Sequence, residues 1–325
     1  MRKILAGVVI AILLAIALLL AAAWAPDRPM DDLKARWATP PSAFLDLQGM
    51  SVHLRDEGFA DDAPPILLLH GTSASLHTWD GWVEALAPSH RVIRVDLPGF
   101  GLTGPFPHDD YHVTAYVDFV IALLDSLALP QAIIAGNSLG GQIAWEVAVT
   151  APERVVALVL VNAAGYALEP DSIPIAFRIA RTPILQPLLT RILPRRMVAA
   201  SVRDVYGNPG RVTEELVDRY YELALREGNR RALGLRLDEA VYREVRADRI
   251  AMITQPTLIL WGGQDRLIPP KTAERFAHDI ADSRLIIFDS LGHVPHEEDP
   301  ESTAAAVRAF LDSSSVTHRP PRGRH

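Results

Sequence analysis

Short apolar runs punctuate this chain: Ile66–Leu69, Arg91–Val95 (apolar but for its arginines), Ala132–Ala135, Val155–Val161, Thr257–Trp261 and Arg284–Phe288. Each is too short for a core helix and lacks polar alternation, the pattern of a strand buried on both faces. Amphipathic stretches of helical period separate them, near Trp79–Leu86, Val113–Leu127 and Leu139–Val149, and another closes the series at Thr303–Leu311. Phe44 to Asp56 reads instead as a hairpin turning at Gln48-Gly49. Strands alternating with helices predict an α/β fold: a mainly parallel sheet with helices on both faces. From Ala164 to Asp248 the alternation stops, and helical patterns broken by Pro174, Pro183, Pro187 and Pro194 take over, the mark of an inserted helical cap.

The amino end differs in kind. Arg2 and Lys3 precede an almost wholly apolar stretch from Ile4 to Ala25, long enough to cross a bilayer as a helix. Positive charge before it and the mixed Asp27, Arg28, Asp31, Asp32 after it predict a cytoplasmic amino end and an extracytoplasmic domain. Ala23-Trp24-Ala25 is also an acceptable signal-peptidase site, but the apolar core exceeds the usual signal length. A retained membrane anchor is therefore the first reading, and a secreted or periplasmic product after cleavage the second. The chain divides into 1–25, anchor or signal peptide; 26–41, a linker with a short helix around Met30–Trp37; 42–163, first part of the core; 164–248, cap; 249–312, second part of the core; and 313–325, a tail of Pro, Gly, Ser and charge predicted to be disordered.

Composition narrows the chemistry. A net charge of −7 over 325 residues argues against nucleic acid as a partner. With no cysteine there is no disulfide framework and no thiol catalysis. No metal-ligand cluster, phosphate loop or dinucleotide fingerprint occurs, so no cofactor and no metal are expected. The basic stretch Ile173–Met197, with Arg178, Arg181, Arg191, Arg195 and Arg196 and no acid, reads as a lid helix or as a contact with anionic headgroups.

Gly136-Asn137-Ser138-Leu139-Gly140 lies between a predicted strand and a predicted helix. Strand, Gly-x-Ser-x-Gly, helix is the nucleophile elbow, a turn that lifts its serine clear of the backbone beside a helix N-terminus. A serine needs a base, and the base an orienting acid. Asp265 follows the Thr257 strand and His293 follows the Arg284 strand, so the order Ser138, Asp265, His293 places all three at the carboxyl edge of a parallel sheet. His70-Gly71-Thr72-Ser73 follows the Ile66 strand and supplies an oxyanion hole: the backbone N–H of Thr72 with that of Leu139. His70 reads as a loop brace, and Asp96 as a brace for Pro98-Gly99-Phe100-Gly101. Asn162 stands after the Val155 strand and, as an amide, cannot be the acid. His296 reads as a solvated loop histidine beside Glu297 and Glu298.

From about Phe44 to Leu311 the chain resembles the α/β-hydrolase fold superfamily. The motifs are His70-Gly71, Asp96-Leu97-Pro98-Gly99-Phe100-Gly101, Gly136-Asn137-Ser138-Leu139-Gly140-Gly141, Asp265, and Gly292-His293 before Pro295. Its spacing is similar to the lid-bearing branch of esterases, lipases, carbon–carbon hydrolases of ring-cleavage products, epoxide hydrolases and haloalkane dehalogenases. The last two use an aspartate nucleophile, and Ser138 stands in its place. The resemblance implies a serine esterase of lipase-like type, acting on a hydrophobic small-molecule ester near a membrane. A carbon–carbon hydrolase is the alternative: where those enzymes carry an asparagine-containing loop, Trp79-Asp80-Gly81-Trp82 stands here. A non-catalytic binding module is a further alternative, which an intact triad disfavours.

Overall fold

The computed structural model of the protein describes residues 2–59, 63–167, 190–242 and 247–313. Eight strands form one sheet: β1 (Ala43–Leu47), β2 (Met50–Glu57), β3 (Ile66–Leu69), β4 (Val92–Val95), β5 (Ala132–Asn137), β6 (Val155–Val161), β7 (Thr257–Gly262) and β8 (Ser283–Phe288). Their order is β1-β2-β4-β3-β5-β6-β7-β8. The hairpin β1–β2 is antiparallel and joins β4 antiparallel, whereas β4 to β8 run parallel. This is the mainly parallel sheet expected from the apolar runs.

The strand period of two sorts each run into two cores. Leu67, Leu69, Ile134, Leu158, Leu160 and Ile259 face helices α4 (Val113–Ser126) and α5 (Leu139–Thr150). Ile66, Leu68, Ile133, Val159, Leu258 and Leu260 face α3 (Asp80–Leu86) and the closing helix Pro300–Leu311. These side chains are at most 1 % exposed. Burying one of them contributes roughly 1.5–3 kcal/mol, which is why the central strands show no polar alternation.

The apolar helix α1 (Arg2–Ala22) is rooted in the cap. Just past its end, the Ala25 N–H donates to Arg191 O at 2.9 Å, and Leu193 N–H donates to Ala23 O at 3.1 Å. The stretch expected as a linker is packed: α2 (Met30–Trp37) buries Leu33 and Trp37. Arg36 Nη1 and Trp37 Nε1 donate to Glu222 at 2.6 and 2.9 Å, and Arg230 donates to Ala25 O and Asp27, both at 2.6 Å.

Between β6 and β7, in the segment expected as a cap, the described helices are α6 (Arg195–Val205), α7 (Glu214–Ala224) and α8 (Asn229–Tyr242). Ala199, Val202, Tyr206 and Val217 pack there against Val294 of the core. Arg195 is ion-paired with Glu214 and Asp218 at 2.8 and 2.6 Å, so it is engaged by the protein itself. Residues 168–189, which hold most of the basic stretch, lie outside the described residues, as does the tail from 314.

Candidate active site

Ser138 is the hinge between β5 and α5. Its φ of 53° and ψ of −113° are in the region L-residues avoid, at a cost of order 1–3 kcal/mol. The turn is tight enough that a Cβ on Gly136 would stand 2.1 Å from Gly140 O, and one on Gly140 would stand 2.0 Å from Leu69 O. Only glycine satisfies both contacts, so strand and helix meet closely and Ser138 is left half-buried. The helix N-terminus beside it carries partial positive charge.

The loop after β3 runs alongside. A methyl group on Gly71 would lie 2.8 Å from Asn137 Oδ1 and 3.1 Å from Ser138 Cβ, so Gly71 lies against the elbow. His70 holds that loop, as expected. Its Nδ1–H donates to Gly71 O at 2.7 Å, and its Nε2 accepts the Leu97 N–H at 2.9 Å. That pattern fits only the neutral ring, and burial pushes its pKa down.

Asp265 and His293 arrive from the loops after β7 and β8 and meet, with His293 Nδ1 2.7 Å from Asp265 Oδ2. A carboxylate is acceptor-only, so Nδ1 carries the proton and Nε2 is left as an acceptor. Asp265 Oδ1 takes the Leu267 and Ile268 N–H groups at 2.8 and 2.9 Å. Both residues are buried, at 4 % and 5 % exposure. Asn137, next to the serine, donates through Nδ2 to His293 O at 3.0 Å and to Val161 O at 3.1 Å, tying the elbow to the histidine loop.

Two residues stand differently from expectation, and a third makes a contact that its place in the sequence did not show. His296 is not solvated: it is fully buried, its ring 4.0 Å from that of Trp79 and its Nε2 3.1 Å from Thr78 Oγ1. Burial, with the Arg219 guanidinium nearby, holds its pKa well below the ordinary value. Glu298, expected in the same solvated loop, is buried and accepts N–H groups from Gly207, Asn208 and Gly292 at 2.9, 2.7 and 2.9 Å, clamping the cap to the histidine loop. Asn162 is no bystander, since its Nδ2 donates to Asp265 Oδ2 at 2.6 Å. The adjacent acids in Pro295-His296-Glu297-Glu298 gave the sequence a solvated look, and only contacts with Trp79 and the cap reverse it.

Asp96 lies elsewhere, buried after β4, where it accepts N–H groups from Leu76 and Leu102, both at 2.8 Å. It braces the loop between Pro98 and Leu102, as expected. Among the described residues no cluster of His, Cys, Asp or Glu is arranged to hold a metal.

A strained serine on an elbow, a buried carboxylate–imidazole pair at the same sheet edge and a sheet of this topology define a hydrolase. The chain belongs to the alpha/beta hydrolase fold family, whose description matches residues 64–300. It is 29 % identical over 272 residues to the 2-hydroxymuconate semialdehyde hydrolase of Pseudomonas sp. (strain CF600), covering 81 % of this chain and 91 % of that one. Among solved structures it is similar to a serine hydrolase involved in carbazole degradation, with TM-score 0.70 and 26 % identity over 83 % of this chain and 98 % of that one. A membrane phospholipase A shares the fold over 96 % of this chain and 98 % of that one, at TM-score 0.70 and 24 % identity. The curated similarity thus falls on a carbon–carbon hydrolase, the second of the two readings drawn from the sequence.

Proposed function

We propose that the chain is a serine hydrolase working through an acyl-enzyme. Ser138 is the nucleophile, His293 the general base, Asp265 the group that fixes the imidazole, and the N–H groups of Leu139 and Thr72 receive the oxyanion. The observation that carries this is the 2.7 Å Asp265–His293 pair at the sheet edge that presents the strained Ser138. His293 Nε2 takes the Ser138 proton as Oγ attacks a carbonyl carbon, then returns it to the leaving group. Water, deprotonated by the same ring, frees the acid.

For the bond cleaved, we favour a carbon–carbon bond flanked by a ketone and by a carbon whose electron pair is delocalised as a dienolate. Its support is the similarity to the muconate semialdehyde hydrolase. Carboxylic ester hydrolysis is the second reading, and two observations favour it. Trp79 and Trp82 fill the segment after the oxyanion loop as fully buried core, leaving no asparagine there. An apolar helix rooted in the cap also suits an enzyme that meets hydrophobic, lipid-derived esters at a bilayer. In our reading α1 is a retained anchor with the catalytic domain outside the cytoplasm. The cap pairs with residues 23–25, which cleavage after Ala25 would remove.

The test uses the full chain in detergent, with Ser138→Ala as control. A 2-hydroxy-6-oxo-dienoate is followed by loss of its absorbance, and p-nitrophenyl esters of rising chain length by release of the phenolate. Dienoate turnover above ester turnover supports carbon–carbon cleavage, and the reverse supports the esterase. Activity undiminished in Ser138→Ala overturns the mechanism itself.

A further inference from the structure

Asp265 and His293 stand on the loops after β7 and β8, the outer strands on that side of the sheet. Two buried asparagines on the inner side reach across to hold them: Asn137 at the end of β5 and Asn162 just past β6. Their contacts differ in kind. Asn137 bonds main-chain carbonyls only, whereas Asn162 bonds the carboxylate oxygen that faces His293. We infer that Asn162 is a positioning residue for the acid–base pair, an inference that rests on the reading of Ser138, His293 and Asp265 given above.

An ionised carboxylate offers about four lone-pair sites and donates nothing. At Asp265 each oxygen accepts two donors: Oδ1 the Leu267 and Ile268 N–H groups, Oδ2 the His293 Nδ1–H and the Asn162 Nδ2–H. The two main-chain donors come from the aspartate's own loop and move with it. Asn162 is the donor that ties Oδ2 to the central sheet. Its amide cannot turn over, because its Oδ1 accepts the Gly262 N–H at 3.2 Å and a flip would set its oxygen against the carboxylate. Its main-chain N–H donates to Leu260 O at 3.0 Å, and its φ of 44° is one that asparagine tolerates better than most residues. With Asn162 at 0 % exposure, the contact is dry, where a hydrogen bond is electrostatically strong.

Two consequences follow for the base. Geometry is the first: Oδ2 is held where Nδ1–H points, so Nε2 stays aimed at the serine. Charge is the second. A donor on Oδ2 shares the negative charge that the imidazole faces, so removing Asn162 leaves a more strongly charged carboxylate against the ring. The ionisable groups bearing on His293 are Asp265 from the β7 loop and His296 from the helix after it, with Arg219 of α7 and His70 after β3 grouped around His296.

The experiment measures the second-order rate of Ser138 labelling by a fluorophosphonate in the full chain, across pH, for wild type, Asn162→Ala and Asn162→Asp. It needs no knowledge of the substrate. Asn162→Ala is expected to label about 10–100-fold more slowly on its plateau, as a misplaced base does, with its acid limb moved to higher pH. Asn162→Asp sets a second carboxyl against the first. Two carboxyls that close cannot both ionise freely, so the pair titrates in two steps and a further step appears in the profile. Profiles of both folded variants superimposable on wild type, with only the melting temperature lowered, overturn the inference and make Asn162 scaffold. Failure of wild type to label at Ser138 sinks the underlying reading instead, so the two failures are told apart.

Discussion

Among the described residues, two carboxylate–imidazole pairs share a 2.7 Å separation, Asp265–His293 and Asp96–His53. The second even continues to a serine, for His53 Nε2 lies 2.9 Å from Ser42 Oγ. Residue types and distances alone would make the second a triad. What separates them is position in the sheet. His53 lies within β2, antiparallel to the central strands, and both it and Asp96 are completely buried. Arg55 Nε donates to Ser42 Oγ at 2.9 Å, so the hydroxyl is occupied. Asp96 also takes two main-chain N–H groups from different loops, and the whole array clasps β2, the loop before α3 and the loop after β4 together. His293 and Asp265 stand instead on loops at the carboxyl edge, beside a serine with strained backbone and a helix N-terminus. The same chemistry thus serves cohesion in one place and, in our reading, catalysis in the other.

Aspartate-to-asparagine exchange breaks the comparison most sharply. Asp265→Asn is expected to cost on the order of 10⁴ in labelling or turnover, because the amide favours the wrong imidazole tautomer. Asp96→Asn is expected to keep activity per folded molecule within about tenfold of wild type, while losing roughly 3–5 kcal/mol of stability in denaturant titration, as for a broken buried pair. The opposite pattern would transfer the catalytic acid to Asp96. Gly71→Ala comes next. Its methyl meets Asn137 Oδ1 and crowds Ser138, and about a 100-fold loss in labelling with near-normal melting is the outcome that keeps the oxyanion loop at the elbow.

Proton linkage gives the smallest effects. Burial pushes His77 down to about 4, with the Asp96 carboxylate partly opposing the shift. The unfolded chain takes up that proton near 6.5 and the folded one only near 4. The unfolded state therefore binds more protons in between, and stability is lost as pH falls from 6.5 toward 4. His70 and His296, also pushed down by burial, act in the same sense. The loss from His77 is expected to be on the order of 2 kcal/mol by pH 4.5, and His77→Gln should flatten that slope in melting curves. Asp96 runs the same way lower down. Burial alone would raise its carboxyl, but His53, His70 and His77 hold it well below the usual range, so its contribution is lost only as pH falls beneath the ordinary carboxylate value.

Much of this was readable in advance. Six of the eight strands, the elbow, the hairpin at Gln48-Gly49 and the short helix Met30–Trp37 are local signals, written in apolar runs and glycine spacing, and the structure reproduces them within a few residues. The sequence misled where polar residues are buried by distant partners. His296 and Glu298 look solvated beside Glu297, yet their neighbours are Trp79, Thr78, Gly207 and Asn208. Pro26 to Pro41 looks like free chain, yet Glu222 and Arg230 of the cap hold it.

The sequence by itself determined the α/β sheet, the tight turn at Ser138 and the order of Ser138, Asp265 and His293, because hydrophobic period and glycine geometry act over a few neighbouring residues. Tertiary structure alone decided which aspartate–histidine pair is tied to the elbow, which amide bonds its carboxylate, and that the chain just after the apolar helix α1 pairs with the segment between β6 and β7. Those outcomes depend on contacts such as Asn162 with Asp265, 103 positions apart, and Arg230 with Ala25, 205 apart. Burial and hydrogen-bond satisfaction at such separations are set by how the layers pack, and no local pattern carries them.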